Sequence, residues 1–292
     1  GGAEQTDQAL IQAAPWPVDF ATSREVTPEL LENFDVHVLG NMRHARPEVI
    51  AALVNQGRHV LFEHDVRICH WRGNFPAAYD PIHRWLGRCI CPHRPLRSLI
   101  ASSLGMIFLT HLQLSVYRRN PFFRPSVVQV LGSSVFGQGF FERVARIQNG
   151  SLRTERRGVC IAYSAHRIKG YRAARSCCRE RGIEPQVIQN LSPQEVLDLM
   201  QRCSKFVFLP TRLEPAGRMP VEARFLGCEV ETNRHVGVTG EPWWHLPDSQ
   251  ALDVVRDAGP RFWKIVQQLW AMKASGRRQA GETLGPLQEP AR

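Results

Sequence analysis

Glu214 and Glu222 stand eight residues apart, with Gly217 and two prolines, Pro215 and Pro220, between them. Just upstream, "KFVFLP" (205–210) is an apolar run closed by proline, the pattern of a buried strand. "PVEARFLGC" (220–228) has the pattern of a helix. The two carboxylates are therefore expected at the mouth of a strand and the start of a helix, where ligands of open parallel sheets bind. A carboxylate only accepts hydrogen bonds, so a pair of them suits the hydroxyls of a ribose or a hexose. Gly217 lets backbone approach a ligand closely, and the helix offers amide-rich first-turn backbone to an anion. A plainer reading stays open at this stage, in which one glutamate caps the helix and the other is solvated.

His83, Cys89, Cys91 and His93 fall within eleven residues. Cys-x-Cys-x-His is not a common chelating spacing, so a loop with no metal is expected there. None of the eight cysteines forms Cys-x-x-Cys, which suits reduced thiols in a cytoplasmic protein.

Apolar runs alternate with helical patterns along the chain. Strands are expected at 35–40, 59–64, 106–109 and 127–134, with helices at 46–57 and after Thr110, a candidate cap. The second half repeats the rhythm: strands at 158–164, 185–190, 206–210 and 229–233, helices at 169–182, 192–203 and 220–228. "LIASSLGMIFLTHLQL" (99–114) is too short, and too interrupted by Gly105 and His111, to span a membrane. Repeated alternation of this kind predicts an α/β protein with parallel sheets. Two Rossmann-like domains are expected, at 1–132 and 133–261, followed by a closing helix and a Gly-, Arg- and Pro-rich basic tail over 262–292.

The stretch from Glu214 resembles the donor site of family-4 glycosyltransferases of GT-B fold. Those carry Glu-x7-Glu with an internal glycine, followed by a segment similar to "EARFLGCEV". The resemblance implies two Rossmann-like domains facing across a cleft. It assigns Glu214 to the donor hexose and Glu222 to the nucleotide ribose, with Gly217 between them. This sequence departs from the pattern in having Pro215 and Ala216 where Gly-Phe is usual, and Arg218 just after the glycine, where it could add a phosphate contact. The family holds the donor diphosphate with an Arg and a Lys. "YSAHRIKG" supplies Lys169, while Ser164 takes the usual Arg position and leaves His166, Arg167 or Arg172 to substitute. "HVLFEHDVR" resembles the family's strand that ends in a cleft histidine, which implies His64, with Asp65 beside it. Thr110 becomes a candidate for the cleft rim. "GGAE" resembles the loop that follows the family's first strand. Gly1 and Gly2 are then donor contacts, and the N-terminal domain is expected to lack its first strand.

The resemblance implies a retaining transfer from a nucleotide sugar, UDP-hexose being the expected co-substrate, without a required cofactor or metal. The charge balance of +10 (37 basic, 27 acidic) favours polyanionic partners. Arg67, Trp71, Arg72 and Arg84, within a basic and aromatic segment running to Arg97, suit a groove that tracks phosphates and stacks bases. The compact first domain is similar to phage and environmental glycosyltransferases, so DNA carrying a hydroxymethylated pyrimidine is one expected acceptor, placing the protein in a host cytoplasm. A lipid-linked or surface glycan is another. A binding protein that kept the fold without catalysis is the third reading.

Overall fold

The computed structural model describes residues 2–42, 44–68, 85–86, 89–91, 94–151 and 155–275. They divide into two compact units. The first holds the described residues of 13–132 together with 260–275, and the second holds 2–12 with those of 133–259.

Among the described residues, each unit contains a four-stranded, fully parallel sheet. In the first, the order is β1 (His37–Leu39), β2 (His59–Glu63), β3 (Gly105–Phe108) and β4 (Val128–Val130). Side chains alternate between faces with period two. Glu63 reaches toward Tyr117 on the helix His111–Arg118, whereas Phe62 packs edge-on against Phe262 of the closing helix Ala258–Ala274, ring centroids 4.9 Å apart. Gly105 is opposite Val60 in register, and a Cβ there would lie 2.9 Å from a Leu269 methyl of that closing helix. Both faces of β2 and β3 are covered, so Val60–Phe62 and Met106–Phe108 are consecutive buried apolar residues rather than an alternating pattern.

In the second unit the strands are β5 (Val159–Ala162), β6 (Gln186–Ile188), β7 (Lys205–Phe208) and β8 (Glu229–Thr232), in the spatial order β6-β5-β7-β8. Cys160, Phe206 and Phe208 join a core with Phe136, Phe140 and Leu226. Val159, Ile161 and Val207 turn the other way, onto Ala174 and Cys178 of the helix Tyr171–Glu180. Ser192 opens the helix Pro193–Arg202 with a full capping box, its hydroxyl accepting from the Glu195 amide at 3.3 Å while Glu195 accepts from the Ser192 amide at 2.7 Å.

Two boundaries differ from expectation for identifiable reasons. The helix expected from Lys169 is a single 3-10 turn, Arg167–Lys169, and a fresh helix starts at Tyr171 because Gly170 between them is left-handed at φ +78°. The helix expected from Pro220 starts at Arg218 instead, with Pro220 tolerated in its first turn and Gly217 (φ +69°) as its cap. Among the described residues, no helix is long and apolar enough to cross a membrane.

Candidate functional site

The order β6-β5-β7-β8 contains a reversal. The chain leaves β5 to one side to form β6, then crosses to the other side to form β7. The loops leaving the carboxyl ends of β5 and β7 therefore diverge from adjacent strands, which makes the crevice where parallel sheets take ligands. Lys169 rides on the first of these loops and Glu214 on the second.

Three features hold the loops together. The Thr211 amide donates to the Ile168 carbonyl at 2.9 Å. Gly170 lies so close to the other loop that a Cβ would fall 1.9 Å from the Leu209 carbonyl oxygen, so only glycine fits. Lys169 Nζ donates to Glu214 Oε2 at 2.5 Å, with 41% of the lysine side chain and 17% of the glutamate exposed. The Glu214 backbone is fixed independently: its amide donates to the His235 carbonyl at 2.8 Å, and its carbonyl accepts from the Gly237 amide at 2.9 Å. Its position owes nothing to the salt bridge.

Glu222 is buried within the helix Arg218–Phe225 and pairs with Arg218 one turn back, Nε to Oε1 at 2.8 Å. Burial raises the Glu222 carboxyl above its ordinary range, and Arg218 opposes that shift. Arg218 is itself tied down, donating from Nη1 to the Val135 carbonyl at 2.7 Å and lying over the Phe136 ring at 4.2 Å. Gly2, the first residue of the helix Gly2–Gln12, lies beside it, 4.0 Å separating its Cβ position from the Arg218 Cδ. Two helix starts thus meet around Arg218 and Glu222. Gly217 is demanded twice, by its backbone conformation and by Val236, whose methyl would sit 2.5 Å from a Cβ.

The structure therefore brings Lys169 to Glu214, and Arg218 to Glu222 and Gly2. Arg167 and Arg172 are exposed on either side of Gly170. Arg218, for which a phosphate contact was expected, has its Nε and Nη1 engaged internally.

His64 and Asp65 lie in the first unit, at the carboxyl end of β2, both half-buried. The His64 ring meets Phe62 edge-on at 4.4 Å and lies 3.6 Å from the Cβ position of Gly40. Asp65 Oδ1 accepts from the Val66 amide at 2.8 Å. Thr110, expected at a rim, is fully buried, and its hydroxyl accepts from the Gln113 amide at 3.3 Å as a helix cap.

Arg67, expected in an exposed groove, is 8% exposed and paired with the fully buried Glu63. Its Nε donates to both Glu63 oxygens at 3.1 and 3.0 Å, while Nη1 reaches the Gly40 carbonyl. Burial opposes its charge, but the Glu63 carboxylate outweighs burial and raises the Arg67 pKa. Tyr117 completes the network with a hydroxyl bond to Glu63. Gly1, Trp71, Arg72 and Arg84 lie outside the described residues, as do His83 and His93 of the Cys/His group and the tail from 276. Cys89 of that group is buried near Ile68 and Asn120.

The sequence matches no family model and no curated protein. Among solved structures, the chain is similar to HepE of Anabaena in complex with UDP and glucose, at 13% identity over 85% of this chain and 79% of that one, TM-score 0.46. It is also similar to a trehalose-6-phosphate synthase studied with bisubstrate glycomimetics (9% identity, 82% and 76% covered, TM-score 0.48). A third is WaaG, a glycosyltransferase involved in lipopolysaccharide biosynthesis (14% identity, 74% and 70% covered, TM-score 0.35).

Proposed function

We propose that the chain is a nucleotide-sugar-dependent glycosyltransferase of GT-B type that uses a UDP-hexose and retains the anomeric configuration. The observation that carries this reading is the meeting of Lys169 and Glu214 at the sheet's switch point, with Glu222 buried in the helix that follows. A donor of this class has an anionic diphosphate flanked by two polyols. A cation between loops and carboxylates on one side of it answer that charge pattern. The departing nucleoside diphosphate gains charge in the transition state, and Lys169, with Arg167 and Arg172, is the group that stabilises it. No metal is needed in this scheme because side-chain cations supply the positive charge. His64 has the role at the transferring sugar that the sequence resemblance implies.

For the acceptor, a hydroxymethylated pyrimidine in DNA rests on the +10 charge and on Trp71, Arg72 and Arg84. The internal pairing of Arg67 removes one phosphate contact from that scheme; a lipid-linked or surface glycan is the second reading. The test is incubation with UDP-, GDP- and ADP-sugars, first without acceptor, then with hydroxymethylated DNA or a glycan or lipid acceptor, each followed by mass spectrometry. Hydrolysis of one donor and a sugar-mass gain on one acceptor are expected. Absence of turnover with every donor would refute catalysis and leave a binding protein.

A further inference from the structure

Lys169 and Glu214 satisfy each other, and that pairing has a consequence for any anion entering the crevice. We infer that Glu214 is a built-in competitor for the phosphate site, so that this carboxylate weakens the binding of a nucleoside diphosphate and yields Lys169 more readily to a ligand that offers Glu214 something in return. The inference rests on the nucleotide-sugar reading and deepens it.

Three observations carry it. Lys169 Nζ is within 2.5 Å of Glu214 Oε2, so a phosphate must displace the carboxylate to reach the ammonium. The pair joins two different loops by a single bond and is partly exposed, 41% on the lysine side, so it is weak enough for a ligand to open. The Glu214 backbone is held by His235 and Gly237, so the carboxylate stays beside the crevice when the pair opens, as an acceptor for a hydroxyl and a repulsive charge toward a phosphate. A diphosphate alone gains Lys169 and meets that repulsion. A diphosphate carrying a hexose gains Lys169 and supplies hydroxyls to Glu214. The site therefore discriminates the loaded donor from the spent one, and the same carboxylate favours release of the nucleoside diphosphate once the sugar has left.

Calorimetry of the wild-type chain and of Glu214→Gln tests this, using UDP, GDP and ADP and the corresponding glucose conjugates. Glu214→Gln is expected to bind its preferred nucleoside diphosphate about three- to tenfold more tightly than wild type, the range of an exposed pair plus a nearby like charge. Its preference for the sugar conjugate over the free diphosphate is expected to shrink. Lys169→Met should weaken binding of both, which checks that the tightening acts through the lysine. If wild type binds a diphosphate and Glu214→Gln binds it equally or more weakly, the competitor role is overturned while the nucleotide reading stands. If neither protein binds any of the six compounds, the nucleotide reading itself fails and the competitor role with it.

Discussion

Replacing Arg67 with methionine separates the two roles that a basic residue at this position can have. In the structure its guanidinium is 8% exposed and faces Glu63, which is fully buried. It donates to both carboxylate oxygens, to the Phe62 carbonyl at 3.3 Å and to the Gly40 carbonyl. Methionine fills much of the space and removes every one of those donors. Glu63 is left as a buried carboxylate with the Tyr117 hydroxyl as its remaining partner in the network. Breaking a buried pair from one side costs about 3–5 kcal/mol, because the other charge stays uncompensated. Arg67→Met should therefore lower the unfolding free energy of the first unit by about that much, read from the urea midpoint. Removing both charges, with Glu63→Met in the same chain, should recover most of the loss, since a well-packed apolar pair is close to neutral against a buried ion pair. An acceptor-binding arginine predicts the opposite pattern: unchanged stability, and weaker DNA binding with a smaller salt slope. A midpoint shift worth under about 0.5 kcal/mol, or a double variant no more stable than the single one, would refute the structural role.

Glu222→Ala should weaken nucleotide binding by about 1.5–3 kcal/mol in calorimetry, the worth of a hydrogen bond to a charged group, and should also lower the urea midpoint because Arg218 loses its carboxylate, while circular dichroism without denaturant stays native. Gly170→Ala forces a Cβ onto the Leu209 carbonyl at a φ of +78°, so a stability loss of about 1–3 kcal/mol and a drop in nucleotide affinity should appear together. His64→Ala should cut turnover far more than donor affinity, and wild-type turnover in that variant would return the ring to a packing role. Burial lowers the pKa of His37 and His59, direct register partners on β1 and β2. The unfolded chain then binds more protons below about pH 6.5, so stability is complete above that pH and falls as pH drops through it. A urea midpoint that is the same at pH 7.5 and 5.5 would contradict this.

What the sequence made legible was local. Thr110 was readable as a helix cap, and it caps the helix His111–Arg118. Strands β5 and β7 were readable because both faces are covered and the apolar run is continuous. The Arg67 network was not readable because its partners come from distant segments: Tyr117 is 54 residues from Glu63, and Gly40 is 27 from Arg67. The neighbouring Trp71 and Arg72 made Arg67 look like part of a surface stripe. Arg218 and Glu222 carried a usable signal, the i,i+4 spacing of an intrahelical ion pair, hidden by the expectation that the helix began at Pro220. The Lys169–Glu214 contact joins residues 45 apart and depends on β5 and β7 being neighbours while β6 lies on the far side. Alternation of strands and helices does not specify that order.

Two glutamates from one motif are therefore expected to respond to substitution with opposite signs, and the reason is geometric. Glu222 and Arg218 share one helix turn, and the arginine is further fixed by Val135 and Phe136, with side-chain exposures of 9% and 17%. When Glu222 is lost, Arg218 is still held by the Val135 carbonyl and the Phe136 ring, so the cation stays in place and the substitution removes an acceptor without delivering a new charge to the ligand. Glu214 faces a lysine on a separate loop, through one bond, with the lysine 41% exposed. Its loss subtracts a hydroxyl acceptor and also liberates a cation, so its sign depends on whether the ligand carries a sugar. Combining Glu214→Gln with Glu222→Ala tests the independence of the two pairs. No bond joins them, so the affinity changes for a nucleoside diphosphate should add to within about 0.5 kcal/mol. A larger coupling would mean that the crevice reorganises as one unit, and the assignment of separate roles would fall.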